Sequence, residues 1–294
     1  MKIGIYGQFY HENAGTYINQ LLELLQEEKV EVIIERNFLD LINKNKSVTG
    51  EYSDYKTFDI LDASYDLFFT IGGDGTILKS INYIKNLDIP IVGINTGRLG
   101  FLSTIQKEQI GETIHTILKK DFSISPRAVL QIETNPKSDD EVFNNVALNE
   151  IAVSRKNTTS MITVDTWLNN QYLTSYWADG LIIATPTGST GYSLSCGGPV
   201  ITPDADSIVI TPIAPHNLNA RPLIIKDDTK ITLKVSGRED SHLLSMDSRL
   251  ASLENDTEII IQKAPYAINL VELNDDSFLQ TLRKKLLWGE DKRN

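Results

Sequence analysis

The sequence predicts an α/β chain: a Rossmann-like N-terminal α/β domain, then a mostly β domain, then a C-terminal helix that packs back on the first domain. Three observations carry this expectation. The first third alternates short apolar runs with segments of helical periodicity, as doubly wound parallel sheets do. After about residue 122 the rhythm changes to short β-branched and apolar segments divided by Asn, Asp, Pro and Gly. Near the end Phe278, Leu282 and Leu286 fall on one helical face. Domain limits are therefore expected at 1–122 with 273–294, and at 123–272.

In order, Lys2 to Tyr6 reads as a strand, Tyr17 to Glu28 as an amphipathic helix, and Val30 to Glu35, Asp66 to Ile71 and Ile89 to Ile94 as strands. A helix is expected from Thr76 to Lys85. The polar, Lys/Asn-rich stretch Asn43 to Tyr55 reads as a mobile surface loop. The second domain offers Val129 to Glu133, Val146 to Val153, Met161 to Leu168, Gln171 to Tyr176, Leu181 to Thr185, Ile208 to Ile213, Ile231 to Val235 and Glu258 to Gln262 as strands. Asn169-Asn170 fits a two-residue hairpin turn, and Ser277 to Leu287 is the closing helix.

Composition excludes several classes. A chain of 294 residues, 41% hydrophobic, buries one large core or two modest ones. A net charge of −11 argues against binding the phosphate backbone of nucleic acid, which requires a basic footprint. The single cysteine, Cys196, allows no internal disulfide and no Cys-based zinc site, which fits a reducing compartment. No run approaches the roughly 18 apolar residues that span a bilayer, and Met1 to Ile5 opens a strand, so a cytoplasmic protein without membrane partners is expected. His11, His115, His216 and His242 are scattered without metal-ligand spacing. They read as structural, with His216 in a loop that can approach a site.

Chemistry concentrates in two segments. Gly72-Gly73-Asp74-Gly75-Thr76 follows the apolar run Asp66 to Ile71, so glycines turn the backbone sharply off a buried strand and hold one carboxylate at the turn. A following helix presents N–H groups and a positive dipole end to phosphate oxygens, which suits a polyphosphate and its metal ion. A second Gly-rich segment, Asn95 to Phe101, ends the next strand, so both reach the edge where open α/β sheets bind ligands. In the second domain, Asp179 to Ser195 runs from a strand into Pro186 and a Thr/Gly/Ser-rich turn before a small-residue helix. Its hydroxyls suit ribose or phosphate, and equally serve as helix caps. There is no Gly-Lys pair, hence no Walker A loop, and no Gly-x-Ser-x-Gly elbow of a hydrolase.

Taken together these residues resemble the NAD kinase family over most of the chain. Gly72 to Thr76 is similar to the family's GGDGT signature, Asn149-Glu150 to its Asn-Glu pair, and Thr185 to Thr190 to its TPTGST segment, in the same order and spacing. Gly97 to Phe101 and the closing Leu282 to Gly289 add family-like flanks. The resemblance implies that Asp74 lies by the reacting hydroxyl and that Gly75 and Phe101 lie against bound NAD. It implies that Asn149 and Glu150 hydrogen-bond the dinucleotide's ribose, while Asp179, Thr190, Gly191, Tyr192, Ser193, Leu194 and Ser195 shape its pockets. Gly72, Gly73, Thr76 and Arg98 are expected on the phosphates of ATP. Lys79 stands at an often basic position and Arg249 where relatives often carry Gln; both are expected near NAD, with a solvated helix lysine the other reading of Lys79.

The implied reaction moves the γ-phosphoryl group of ATP to the 2′-hydroxyl of the adenosine ribose of NAD, with Mg²⁺. Such transfer depends on positioning and charge neutralisation, and a carboxylate accepting the hydroxyl's proton contributes about 10²- to 10⁴-fold. Asp74 is suited to that role or to holding the metal. Trp177-Ala178 before Asp179 and Gly191 in place of a common Ala depart from several relatives, which favours ATP over polyphosphate as donor. The alternatives are a lipid or sugar kinase of the same GGDGT fold, which would want a basic or apolar membrane-facing surface, and a non-catalytic NAD sensor, which would lack the carboxylate. A homodimer or homotetramer is the expected assembly.

Overall fold

The computed structural model describes residues 1–9, 14–97, 100–103, 105–137, 145–157, 160–273 and 277–288, and the chain divides into two compact units, 1–126 with 268–294 and 127–267. In the first unit the order is β1 (Lys2–Gly7), α1 (Ala14–Glu27), β2 (Glu31–Glu35), α2 (Arg36–Lys44), β3 (Lys56–Phe58), β4 (Leu67–Gly72), α3 (Asp74–Ile84), β5 (Ile91–Asn95), β6 (Ile105–Gln106) and α4 (Ile110–Leu118). β6, β5, β4, β1, β2 and β3 lie side by side in parallel. Strands buried on both faces read as continuous apolar runs, and β4 (Leu-Phe-Phe-Thr-Ile-Gly) is buried throughout for that reason. Ile18, Leu21, Leu22 and Leu25 of α1 and Ile110, Ile114 and Ile117 of α4 share one apolar cluster with Ile3, Ile5, Phe69 and Val92 of the sheet.

The second unit is built from β7 (Ser123–Asn135), most of which lies in it, β8 (Val146–Ala147), β9 (Glu150–Ser154), β10 (Ile162–Leu168), β11 (Gln171–Ala178), β12 (Gly180–Ala184), the short α5 (Tyr192–Ser195), β13 (Ser207–Ile213), β14 (Leu223–Lys226), β15 (Ile231–Ser236), β16 (Ser241–Met246), β17 (Arg249–Glu254) and the first part of β18 (Glu258–Glu272). One antiparallel sheet runs β14-β13-β12-β9-β16-β17. In another layer β11 and β15 flank β10, and β15 pairs with Glu258 to Ile261. Their inward alternation meets in a shared core of Val153, Leu181, Ile183, Val164, Leu233 and Ile259. The closing α6 (Phe278–Leu286) belongs to the first unit, capped by Ser277 and buried at Leu282.

Four sequence expectations change in detail. The helix after the Gly-rich turn begins at Asp74, two residues before Thr76, because Gly73 is its extended N-cap and an acidic residue suits the first turn. The stretch Val146 to Val153 is broken at Leu148-Asn149 into β8 and β9. Asn43 to Tyr55 is fastened down: Lys44 ends α2, Tyr52 is buried, and the Asn19 side chain bonds Thr49, the Gly50 N–H and the Tyr52 hydroxyl. Helices α2 and α4 were not anticipated. The Asn169-Asn170 turn is as expected, both residues having positive φ (48° and 67°) as a two-residue hairpin of this kind requires.

Candidate functional site

In the first unit the Gly72 turn is shaped by sterics. Gly72 has φ 154°, and a Cβ there would lie 2.1 Å from the Thr76 Oγ1, so only glycine lets the chain leave β4 and enter α3 so tightly. Gly72 lies opposite Asn95 in the β4–β5 ladder and accepts from the Thr96 N–H at 3.1 Å, which brings the two Gly-rich segments together at the carboxyl ends of neighbouring strands.

Asp74, at the first position of α3, is half-buried and anchored. Its carboxylate accepts the Phe101 N–H at 2.7 Å, the Leu102 N–H at 3.2 Å and the Ser103 hydroxyl at 3.3 Å. A Cβ at Gly100 would fall 1.7 Å from the Asp74 Oδ1, so this close approach depends on glycine. Phe101 is itself held by the C-terminal helix: the Phe278 ring lies 6.4 Å away and the Lys285 ammonium 5.3 Å over the Phe101 ring. Gly73 and Gly75 have open space where a Cβ would be. Thr76 is buried, and its hydroxyl has no hydrogen-bond partner among the described residues. Lys79 is exposed and donates to the Gln8 side chain at 3.1 Å. Arg98 lies outside the described residues, as does His11.

In the second unit a separate cluster forms around Asn149 and Glu150. The Asp247 carboxylate accepts three successive N–H groups, from Leu148 at 3.0 Å, Asn149 at 2.8 Å and Glu150 at 3.2 Å. N–H groups alternate sides along a regular strand, so three aimed at one carboxylate require the break between β8 and β9. From the other side the Asn149 carbonyl accepts the Thr185 N–H at 2.9 Å, and a Cβ on Gly188 would lie 2.0 Å from that carbonyl oxygen. Thr185 also donates its hydroxyl to Leu148 at 2.6 Å and accepts the Gly188 N–H at 3.0 Å. The TPTGST turn is thus a scaffold for the Asn149 backbone as well as a source of hydroxyls.

Two buried oxygens are left over: the Asn149 Oδ1 and the Glu150 Oε2 have no partner among the described residues. Buried polar atoms are rarely left so without a ligand in view. Burial, then the charge of Asp247, pushes the Glu150 carboxyl up to about 7, against the Tyr192 N–H that lowers it. A Cβ at Gly191 would sit 3.0 Å from the Glu150 Oε2 and 3.4 Å from the Asn149 Nδ2, so Gly191 covers both side-chain ends with the least bulk.

The remaining expected residues divide. Asp179 is half-buried and paired with Arg155 at 2.9 Å. Thr190 donates to the Thr187 carbonyl at 3.1 Å, and Ser193 is buried against the Thr211 hydroxyl at 2.8 Å, so both support the turn from within. Tyr192 and Ser195 are exposed and Leu194 is half-buried. Arg249 donates to the Met246 and Val146 carbonyls, tying its hairpin to β8. His216 packs against Trp177 with ring centres 4.4 Å apart and the rings tilted by 51°. Cys196 is a half-buried thiol whose ionisation burial pushes up. Among the described residues no three His, Cys, Asp or Glu gather as a metal cage, and no helix is long and apolar enough to cross a membrane. Asp247 and Ser103 escaped the sequence reading, because their partners lie far along the chain.

Residues 3–122 match the model of the ATP-NAD kinase N-terminal domain and residues 148–273 that of the ATP-NAD kinase C-terminal domain. The chain is 75% identical, over the full length of both, to the NAD kinase of Christiangramia forsetii, and 52% identical, again over both full lengths, to that of Flavobacterium psychrophilum. Among solved structures it is similar to the yeast NADH kinase complexed with NADH (TM-score 0.85, 22% identity, 99% of this chain and 88% of that one). It is also similar to an NAD kinase from Archaeoglobus fulgidus in complex with ATP (TM-score 0.72, 26% identity, 98% of this chain and 99% of that one).

Proposed function

The chain belongs to the ATP-NAD kinase family, and on that premise we propose that it moves the γ-phosphoryl group of ATP onto the 2′-hydroxyl of the adenosine ribose of NAD, with Asp74 beside that hydroxyl. The observation that carries the reading is the Asp74 carboxylate, fixed at the first turn of a helix by two N–H groups and a hydroxyl from the 101–103 loop. A carboxylate held this way loses little orientational freedom when it receives a proton, and positioning supplies much of the rate in phosphoryl transfer. Asp74 takes the proton as the hydroxyl attacks. Phe101, held by α6, and Gly75 lie against NAD.

Asn149 and Glu150 bond the ribose hydroxyls, which satisfy the two leftover oxygens. With its carboxyl near neutrality, Glu150 both accepts and donates there. Asp179, Thr190, Gly191, Tyr192, Ser193, Leu194 and Ser195 shape the dinucleotide pockets, Ser193 and Thr190 by supporting the turn; Lys79 and Arg249 complete its surroundings. Gly72, Gly73, Thr76 and Arg98 face the phosphates of ATP.

Mg²⁺ fits this donor set as an ion carried by the ATP phosphates. It keeps several waters and binds largely through substrate phosphates; the unpartnered Thr76 hydroxyl is a protein oxygen that would join them, and Asp74 would hold the ion only in place of taking the proton. Bound there, the ion would neutralise charge on the transferred group. We place the enzyme in the cytoplasm, a reading supported by a single cysteine. Homodimeric or homotetrameric assembly completes the reading.

The acceptor is tested with 2′-deoxy-NAD and diacylglycerol beside NAD. Turnover of NAD alone is expected; phosphorylation of the lipid would transfer the assignment to a lipid kinase of the same fold.

A further inference from the structure

Resting on the reading of Asn149 and Glu150 as NAD contacts, we infer that Asp247 is the positioning residue that sets those two side chains for the dinucleotide. It is presented at the tip of a tight hairpin. Met246 pairs with Arg249, leaving Asp247-Ser248 as the turn, and Asp247 takes φ 51°, a left-handed conformation that Asp tolerates better than most residues. β16 runs beside β9, with Met246 opposite Ile151, so the hairpin tip arrives where β9 begins.

There one residue makes four hydrogen bonds to three consecutive ones. The carboxylate accepts from Leu148, Asn149 and Glu150, and the Asp247 N–H donates to the Glu150 carbonyl at 3.0 Å. Three successive N–H groups turned to one carboxylate take the chain out of the regular strand geometry that would send consecutive side chains to opposite faces. The ends of the Asn149 and Glu150 side chains accordingly meet over Gly191, within 3.4 Å and 3.0 Å of the position a Cβ there would occupy. Asp247 also acts through its charge. The groups bearing on Glu150 are Asp247 from the hairpin and the Tyr192 N–H from α5, with Arg249 in turn acting on Asp247. Removing the Asp247 charge therefore lowers the pH at which Glu150 ionises.

The test compares Asp247→Asn and Asp247→Glu in the full chain with Asn149→Ala, Glu150→Gln and their double variant. Asp247→Asn keeps the shape and loses the charge, and Asp247→Glu keeps the charge and moves the carboxylate by one methylene. Both are expected to raise KM for NAD by about tenfold or more, with KM for ATP and kcat within about twofold, the pattern of lost ground-state binding. In Asp247→Asn the pH at which NAD affinity changes should also move down. Added to the Asn149→Ala, Glu150→Gln background, Asp247→Asn should raise KM no further, because it acts through those residues.

An additive effect, a lowered Tm with normal KM for NAD, or failure of both Asp247 variants to fold would make Asp247 a structural residue and overturn the inference. Unchanged KM in Asn149→Ala and Glu150→Gln themselves removes the NAD-contact reading and the inference with it. Raised KM in those two with normal KM in Asp247→Asn removes the inference alone.

Discussion

Glu150→Gln should make the unliganded protein more stable at alkaline pH while weakening NAD binding. The Glu150 carboxyl moves from an ordinary 4.5 to about 7 on folding. Between those values the native state keeps a proton that the unfolded chain has released, so stability falls as pH rises through this window. The contribution is fully present below about 4.5 and is gone above about 7. At about 1.4 kcal/mol per tenfold change in proton affinity, the loss amounts to about 3 kcal/mol. Glutamine cannot ionise and lacks this slope. Chemical denaturation of both proteins without NAD, at pH 4.5 and pH 8, reads the difference: the stability of the variant relative to the parent should rise by about 3 kcal/mol across that range. In thermal melts, at roughly 2–4 °C per kcal/mol, the relative gain is roughly 6–12 °C. Parallel pH profiles for the two proteins would refute the reasoning, because they would mean that Glu150 ionises in the folded protein as it does in the unfolded chain.

Three further outcomes follow from the same geometry. Asp74→Asn should lower kcat by at least about 10²-fold with a modest change in NAD affinity; near-normal kcat in steady-state assays would remove Asp74 from the chemistry. Asn149→Ala should chiefly raise KM for NAD, by roughly 1–3 kcal/mol of binding, and a fall in Tm without a selective effect on NAD would leave Asn149 a role in the sheet only. Gly100→Ala puts a methyl 1.7 Å from the Asp74 Oδ1, so the Asp74 carboxylate and the 101–103 loop must move apart. Loss of kcat comparable with that of Asp74→Asn is expected, and unaltered kinetics would show that this anchoring is dispensable.

Much of this was legible locally. Gly72 to Thr76 announces a strand-to-helix turn because glycine, carboxylate and apolar run are adjacent, and the paired register of Gly72 with Asn95 follows from two parallel strands of similar ending. The Asn-Asn hairpin was legible for the same reason, since both residues tolerate positive φ. What stayed hidden depends on distant partners. Val146 to Val153 carries the pattern of one strand, and only Asp247, about a hundred residues later, draws three of its N–H groups aside and breaks it. Arg249 drew attention because it stands where relatives often carry Gln, yet the structure gives the anchoring of β8 to its guanidinium and that of Asn149 and Glu150 to Asp247. The polar stretch 43–55 looked mobile because its composition says nothing of Asn19, whose amide fastens it from α1. Ser103, third donor to Asp74, lies in no motif at all.

The most direct measurement is the position of the phosphate in the product. Purified protein incubated with NAD, ATP and Mg²⁺ is expected to yield a dinucleotide whose added phosphorus resonance couples to the 2′ position of the adenosine ribose, with Asp74→Asn giving the same product at least about 10²-fold more slowly. A phosphate on the 3′ oxygen, or no phosphorylated dinucleotide from protein that demonstrably binds NAD, would contradict the account.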